Sequence, residues 1–250
     1  MINYAMRRAL LAGTMRAGGA VPDLLTDLRW YYDLDEASGN ALADYGSGGD
    51  WTDNGSVGQS TGPGGIGSSR TFNGSSQYFA SGGAGVISYF TLPSTGPLTI
   101  SIYFYPTTFS GYQDAFAVGN GAGWTNSTNL AWGFRLVDTT GVPRFSYNDG
   151  GTVNFLAWGS GVSLSAWHHA LIAADDAGNL ALSIDGGTAV TTTYGSFLRY
   201  AALNTLYVGA NQTYFTGRLA RFGMWDRYIE PGSAEAIALA TYPYTYAELT

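Results

Sequence analysis

Between Ser165 and Val190 the chain reads SAWHHALIAADDAGNLALSIDGGTAV, with alternating apolar residues on either side of a turn-forming cluster. A period of two places Trp167, His169, Leu171 and Ala173 on one face of a first strand, and Leu180, Leu182 and Ile184 on one face of a second. Between them, Gly178 or Asn179 can take positive φ, and Asp185-Gly186-Gly187 supplies a second tight turn. The pattern predicts a hairpin continued into a meander. The same alternation runs through Leu28, Trp30, Tyr32 and Leu34, and through Leu98, Ile100, Ile102 and Phe104 before Pro106, a residue suited to a strand end. Shorter strands are expected at 115–118, 132–137, 144–147, 152–157, 206–209 and 215–225, separated by Gly, Asn and Asp clusters. Near the C-terminus the period changes: Ser233, after Pro231-Gly232, can cap a helix reaching to about Ala240.

Composition agrees with this reading. The 36 glycines and 18 tyrosines among 250 residues favour many short strands joined by tight turns, which is an all-β protein. A chain of this length buries roughly 70 to 75% of the surface its unfolded form exposes, so one domain needs no covalent staples. The expected organisation is an N-terminal arm over 1–27, a sandwich domain over 28–240 and a tail over 241–250. In the arm, Ile2, Met6 and Leu10 recur on one face of a short helix; in the tail, Tyr242, Tyr244 and Tyr246 share a face if extended. The apolar run after Arg7-Arg8 is too short for a secretory h-region, and no stretch approaches a transmembrane length.

The Trp-His-His of 167–169 and the Leu-x-Leu-x-Ile-Asp-Gly of 180–186 resemble laminin-G-like domains. So do the opening segments at 34–40, 43–46, 64–67 and 71–74, the strand ending at Pro106, and the closing strand Phe215 to Trp225. The resemblance covers about Leu28 to Leu239. It implies an antiparallel jelly-roll β-sandwich of the concanavalin A type, with Trp167 in the core and the adjacent histidine part of the strand. Arg221 stands where the family usually has an acidic residue, so a contact made by that acid is not expected here.

Charge narrows the chemistry. A net charge of -7 argues against a nucleic-acid groove, which would need clustered Arg and Lys. The chain contains no cysteine, so thiolate metal sites and disulfides are excluded. Charged residues make up 12%, against about 25% in ordinary soluble domains, and lysine is absent. Sheet edges without lysine need another form of cover, and packing against other subunits would supply it. Glycoside hydrolysis needs paired carboxylates. The Glu-x-Asp-x-x-Glu strand of jelly-roll glucanases is absent, and none of Glu36, Glu230, Glu235 and Glu248 lies centrally on an expected strand. A Ser-His-Asp site would have to use His168 or His169, the only histidines, and no nucleophile-elbow motif accompanies them. Related domains often bind calcium through loop oxygens, so the resemblance implies Asp44, Asp53 and Asp114 as candidate ligands. Trp124, in a Gly/Asn-rich loop, and Trp51, in a comparable one, are candidates for stacking on a sugar or anchoring a protein contact.

The sequence therefore leads to the expectation of a non-enzymatic, cofactor-free interaction protein: a homo-oligomeric virion decoration or accessory subunit, docked through its arms, with glycan adhesion in reserve. The rival expectation is a secreted or cell-surface carbohydrate-binding module.

Overall fold

Strands form wherever β-branched and aromatic residues alternate between Gly, Asn and Asp turns. The computed structural model describes residues 23–46, 49–81, 96–119, 130–149, 152–194 and 205–249. Among these residues, one antiparallel sheet has the main path β14 (Val190–Thr193), β13 (Asn179–Ile184), β12 (His168–Ala174), β7 (Leu98–Pro106), β16 (Thr216–Trp225), β1 (Leu28–Tyr32) and β2 (Tyr45–Gly46). Two further strands extend it: β5 (Ser68–Asn73) pairs with β16, and β4 (Gly58–Thr61) with β5. The second sheet runs β11 (Thr152–Ala157), β10 (Pro143–Asp149), β9 (Leu130–Leu136), β8 (Gln113–Gly119), β15 (Thr205–Val208), β6 (Tyr78–Ser81) and β3 (Trp51–Asn54). This is the antiparallel jelly-roll sandwich expected from the sequence.

Aromatic rings fill the space between the sheets. Phe222 of β16 meets Trp30 edge-on at 5.0 Å, and Phe104 of β7 meets Phe134 of β9 at 5.4 Å. Such pairs add to the burial of their large apolar surface.

The central hairpin exists, and Leu180, Leu182 and Ile184 share a face as expected, but the first strand turns its other face to the core. Residues opposite one another across a ladder share a face. Ala170, Ile172 and Ala174 pair with Ile184, Leu182 and Leu180, and these are the residues that enter the core. His169, Leu171 and Ala173 point away from the sandwich and are nevertheless buried. Trp167 precedes β12, is half-buried and packs on the ring of Tyr105 at 5.4 Å, so it is not the core residue expected.

An outer layer explains the second buried face. Helix α1 (Ala234–Thr241) starts at Ser233, whose Oγ accepts the Ala236 amide at 3.2 Å, as the cap requires. Its Ala236 and Leu239 join Leu24, Leu28, Tyr31, Leu171 and Trp225 in a separate apolar cluster. The Tyr103 hydroxyl donates to the Leu239 carbonyl at 2.5 Å. The tail continues the layer. It is not an extended strand, since it turns into a short helix α2 (Tyr246–Leu249). Tyr244 and Tyr246 pack against the same cluster, while the Tyr242 hydroxyl donates to Glu248 at 2.8 Å. These half-buried tyrosines thus pack on or beside their own domain. Ile2, Met6 and Leu10 lie outside the described residues.

Arg221 fastens this layer. A bulge between Ala220 and Gly223 interrupts the β16 register, and Arg221 sits there at φ 53, a conformation non-glycine residues rarely adopt. Its buried guanidinium donates to the carbonyls of Asp33 at 2.7 Å, Ile66 at 3.1 Å and Pro243 at 3.4 Å. The Asp33 carboxylate, 3.6 Å away, accepts the Tyr246 amide at 3.2 Å. Burial pushes the Asp33 carboxyl up to about 7, against the pull of the Arg221 charge. This buried cation thus ties the end of the first strand, a loop and the tail together.

Candidate functional site

Among the described residues, the large aromatic side chains most open to solvent are Tyr45 of β2 and, at the seven-stranded sheet, Tyr112 and Phe155. The site begins with the β9–β10 hairpin. Phe134-Arg135-Leu136 and Pro143-Arg144-Phe145 are mirror images about the turn, and the register places Arg135 directly opposite Arg144. Phe134 and Phe145 enter the core, so both arginines point outward.

The turn that carries them is held closely. The Gly141 amide donates to the Val137 carbonyl at 2.9 Å, and a Cβ at Gly141, φ 63, would lie 2.3 Å from the Phe109 ring. Asp138 accepts the Gly111 amide at 2.8 Å, which draws the loop carrying Tyr112 over the same rim.

Two rings cover the two guanidiniums. Tyr112 lies 4.0 Å from the Arg135 guanidinium carbon and Phe155 lies 3.8 Å from that of Arg144, both within cation–π range. Tyr112 is 39% exposed and Phe155 55%, so each presents aromatic surface to solvent. Asp114 of β8 is fully buried and pairs with Arg135 at 3.1 Å. Its other oxygen accepts the amides of Gln212 and Thr213 at 2.9 Å, which fixes that carboxylate. Burial lowers the pKa of both arginines, and for Arg135 the Asp114 charge opposes this. Both remain cations at any ordinary pH. The result is a rim with two braced aromatic surfaces, two guanidiniums and one carboxylate.

The sequence candidates fall elsewhere. Trp51 is fully buried in β3 and stacks on Tyr32 at 3.7 Å, so it belongs to the core and is unavailable to a ligand. Trp124 lies outside the described residues. Asp44 accepts the Asp33 amide at 2.6 Å, Asp53 accepts the Val57 amide at 2.9 Å and Asp114 serves Arg135. These three do not converge, and among the described residues no group of three or more His, Asp or Glu could hold a metal. They do not fit a shared calcium ion.

One arrangement resembles a catalytic triad. His168 Nδ1 lies 2.7 Å from Asp185 Oδ2, and its Nε2 lies 3.1 Å from both the hydroxyl and the carbonyl of Ser163. The Ser163 carbonyl competes with its hydroxyl for Nε2, so the serine is not aimed at this ring alone as a nucleophile would be. Burial alone would lower the His168 pKa, but the hydrogen bond and charge of Asp185 raise it instead. The ring is a clamp between a loop and the hairpin turn.

Tyr112, Arg135, Arg144 and Phe155 were not singled out from the sequence. The mirrored Phe-Arg and Arg-Phe dipeptides around a glycine turn were the available signal, since such a palindrome puts like residues opposite each other in a hairpin.

Several solved structures share this fold. Domain 4 of AbnA, an extracellular arabinanase of Geobacillus stearothermophilus solved with arabinotriose, is 15% identical, with a TM-score of 0.62 over 86% of this chain and 100% of that domain. The binding domain of Paraclostridial Mosquitocidal Protein 1 is 13% identical, with a TM-score of 0.65 over 86% of this chain. This chain spans about half of that domain, 52%. A carbohydrate-binding module, CBM40, of the Ruminococcus gnavus IT-sialidase, solved with α2,3-sialyllactose, is 17% identical, with a TM-score of 0.50 over 61% of this chain and 86% of that module. No curated protein matches the chain. The family model of the concanavalin A-like lectin/glucanases superfamily matches residues 73–234, well over half of the sequence, and this chain belongs to that superfamily.

Proposed function

We propose that this chain is a non-catalytic glycan-binding module whose ligand lies on the rim formed by Tyr112, Arg144 and Phe155. The observation that carries this reading is the pair of exposed rings, each braced against a guanidinium carried on strands about 5 Å apart. Aromatic faces stack on the C–H surface of a sugar, while the neighbouring N–H groups donate to its oxygens. The fold supports the reading, since structures sharing it were solved with arabinotriose and with α2,3-sialyllactose. The site's one carboxylate is buried in an ion pair, and hydrolysis of a glycoside needs two.

The test is a glycan array probed with the labelled full chain. Binding to a defined subset of glycans, competed by the same free oligosaccharides, is expected. An array without signal, at protein concentrations where other lectin-like modules bind, would contradict the proposal.

A further inference from the structure

Charge at this rim does not balance, and the imbalance names a ligand class. Arg135 and Arg144 face each other across one ladder, and like charges directly opposite are destabilising. Asp114 answers Arg135. Among the described residues no carboxylate lies within ion-pair distance of Arg144, and its buried Nε has no hydrogen-bond partner. Phe155 takes one face of this guanidinium at 3.8 Å, which fixes its plane and leaves the N–H edge for a planar, two-oxygen acceptor. Ser146 is two residues along the same face of β10, opposite Phe155. It is fully buried, and its hydroxyl also lacks a partner. A chain with a net charge of -7 has thus kept an unanswered cation, with a spare hydroxyl nearby, between two sugar-stacking rings.

We propose that the glycan bound here is acidic, a uronate or sialate, and that Arg144 takes its carboxylate. The proposal rests on the glycan-binding reading and adds the substrate class to it. Tyr112 and Phe155 supply the stacking surface and Arg144 the paired donors. Binding of this kind weakens as salt is raised, because part of it is charge attraction at a solvent boundary.

The experiment is calorimetric titration of the full chain with trigalacturonate and 3′-sialyllactose. Each is compared with its neutral counterpart, the methyl-esterified trimer or lactose, and inorganic phosphate and sulfate are titrated separately. At least one acidic sugar should bind about tenfold or more tighter than its neutral counterpart, and Arg144→Gln should remove that preference. Equal binding of acidic and neutral forms would overturn the acidic assignment while leaving glycan binding standing. Binding of phosphate or sulfate without any sugar would overturn both. The comparison of acidic and neutral forms needs only the unaltered protein, so a misfolded Arg144→Gln does not blunt it.

Discussion

Two neighbouring imidazoles on β12 meet opposite environments because successive strand residues face opposite layers. His168 is held by Asp185, whose hydrogen bond and charge outweigh burial and raise its pKa above 6.5. His169 is enclosed beneath the outer layer against Tyr103, with Ser101 at 2.8 Å, and burial pushes its pKa down to about 4. The two contribute to stability with opposite signs. A raised folded pKa gives His168 a contribution that is complete below its unfolded value of about 6.5 and is lost as pH rises through the higher folded value. A lowered folded pKa makes His169 costly in acid, with stability falling as pH drops from about 6.5 toward 4. Proton NMR titration should show the His168 ring with a midpoint above 6.5 and the His169 ring still neutral near pH 5; two midpoints together near 6.5 would contradict the assignment. The sequence supported structural roles for these residues, because Trp-His-His sits in an alternating strand. It could not separate them, since their environments come from Asp185 and the outer layer.

At the scale of elements, existence was easier to read than orientation. The strands at 98–106 and 152–157 and the helix capped by Ser233 follow from alternation, a terminal proline and a cap residue, all local signals. The phase of β12 does not. With His169, Leu171 and Ala173 on one side and Ala170, Ile172 and Ala174 on the other, both faces are apolar, as in strands buried on both sides. Only the layer beyond decides which face meets the core. That layer carries an energetic expectation. Leu239→Ala should cost about 2–5 kcal/mol, because the side chain is buried against the outer cluster. Trp167→Ala should cost only about 1 kcal/mol, the size of an isolated aromatic contact, because its ring is half-buried on Tyr105. Urea denaturation of both variants measures this, and a reversed order would show that the faces are wrongly assigned.

At the scale of the whole molecule, the structure bears on the C-terminal arm and the sheet edges. The expectation of a virion subunit rests on the family resemblance, on two docking arms, on a lysine-free, low-charge surface and on the lack of a secretory leader pattern. The C-terminal arm is committed to its own sandwich through Arg221, Asp33 and the outer cluster. Several outer strands are short, with two residues in β2 and four each in β3, β4 and β14, and shortness is itself a way to blunt an edge. Among the described residues, the helix packs on β12 of one sheet, while Tyr112 and Phe155 are exposed at the other. That site was hard to read because its members come from β8 to β11 and the loop before β8, and they meet only through hairpin register. The most direct measurement is glycan-array signal for the double variant Tyr112→Ala/Phe155→Ala, with Ile237→Ala as the control, since Ile237 is an exposed side chain on the helix covering the other sheet. The account expects the double variant to lose its signal while remaining folded by circular dichroism, and Ile237→Ala to bind like the unaltered chain; undiminished binding by the double variant would place the ligand elsewhere and contradict it.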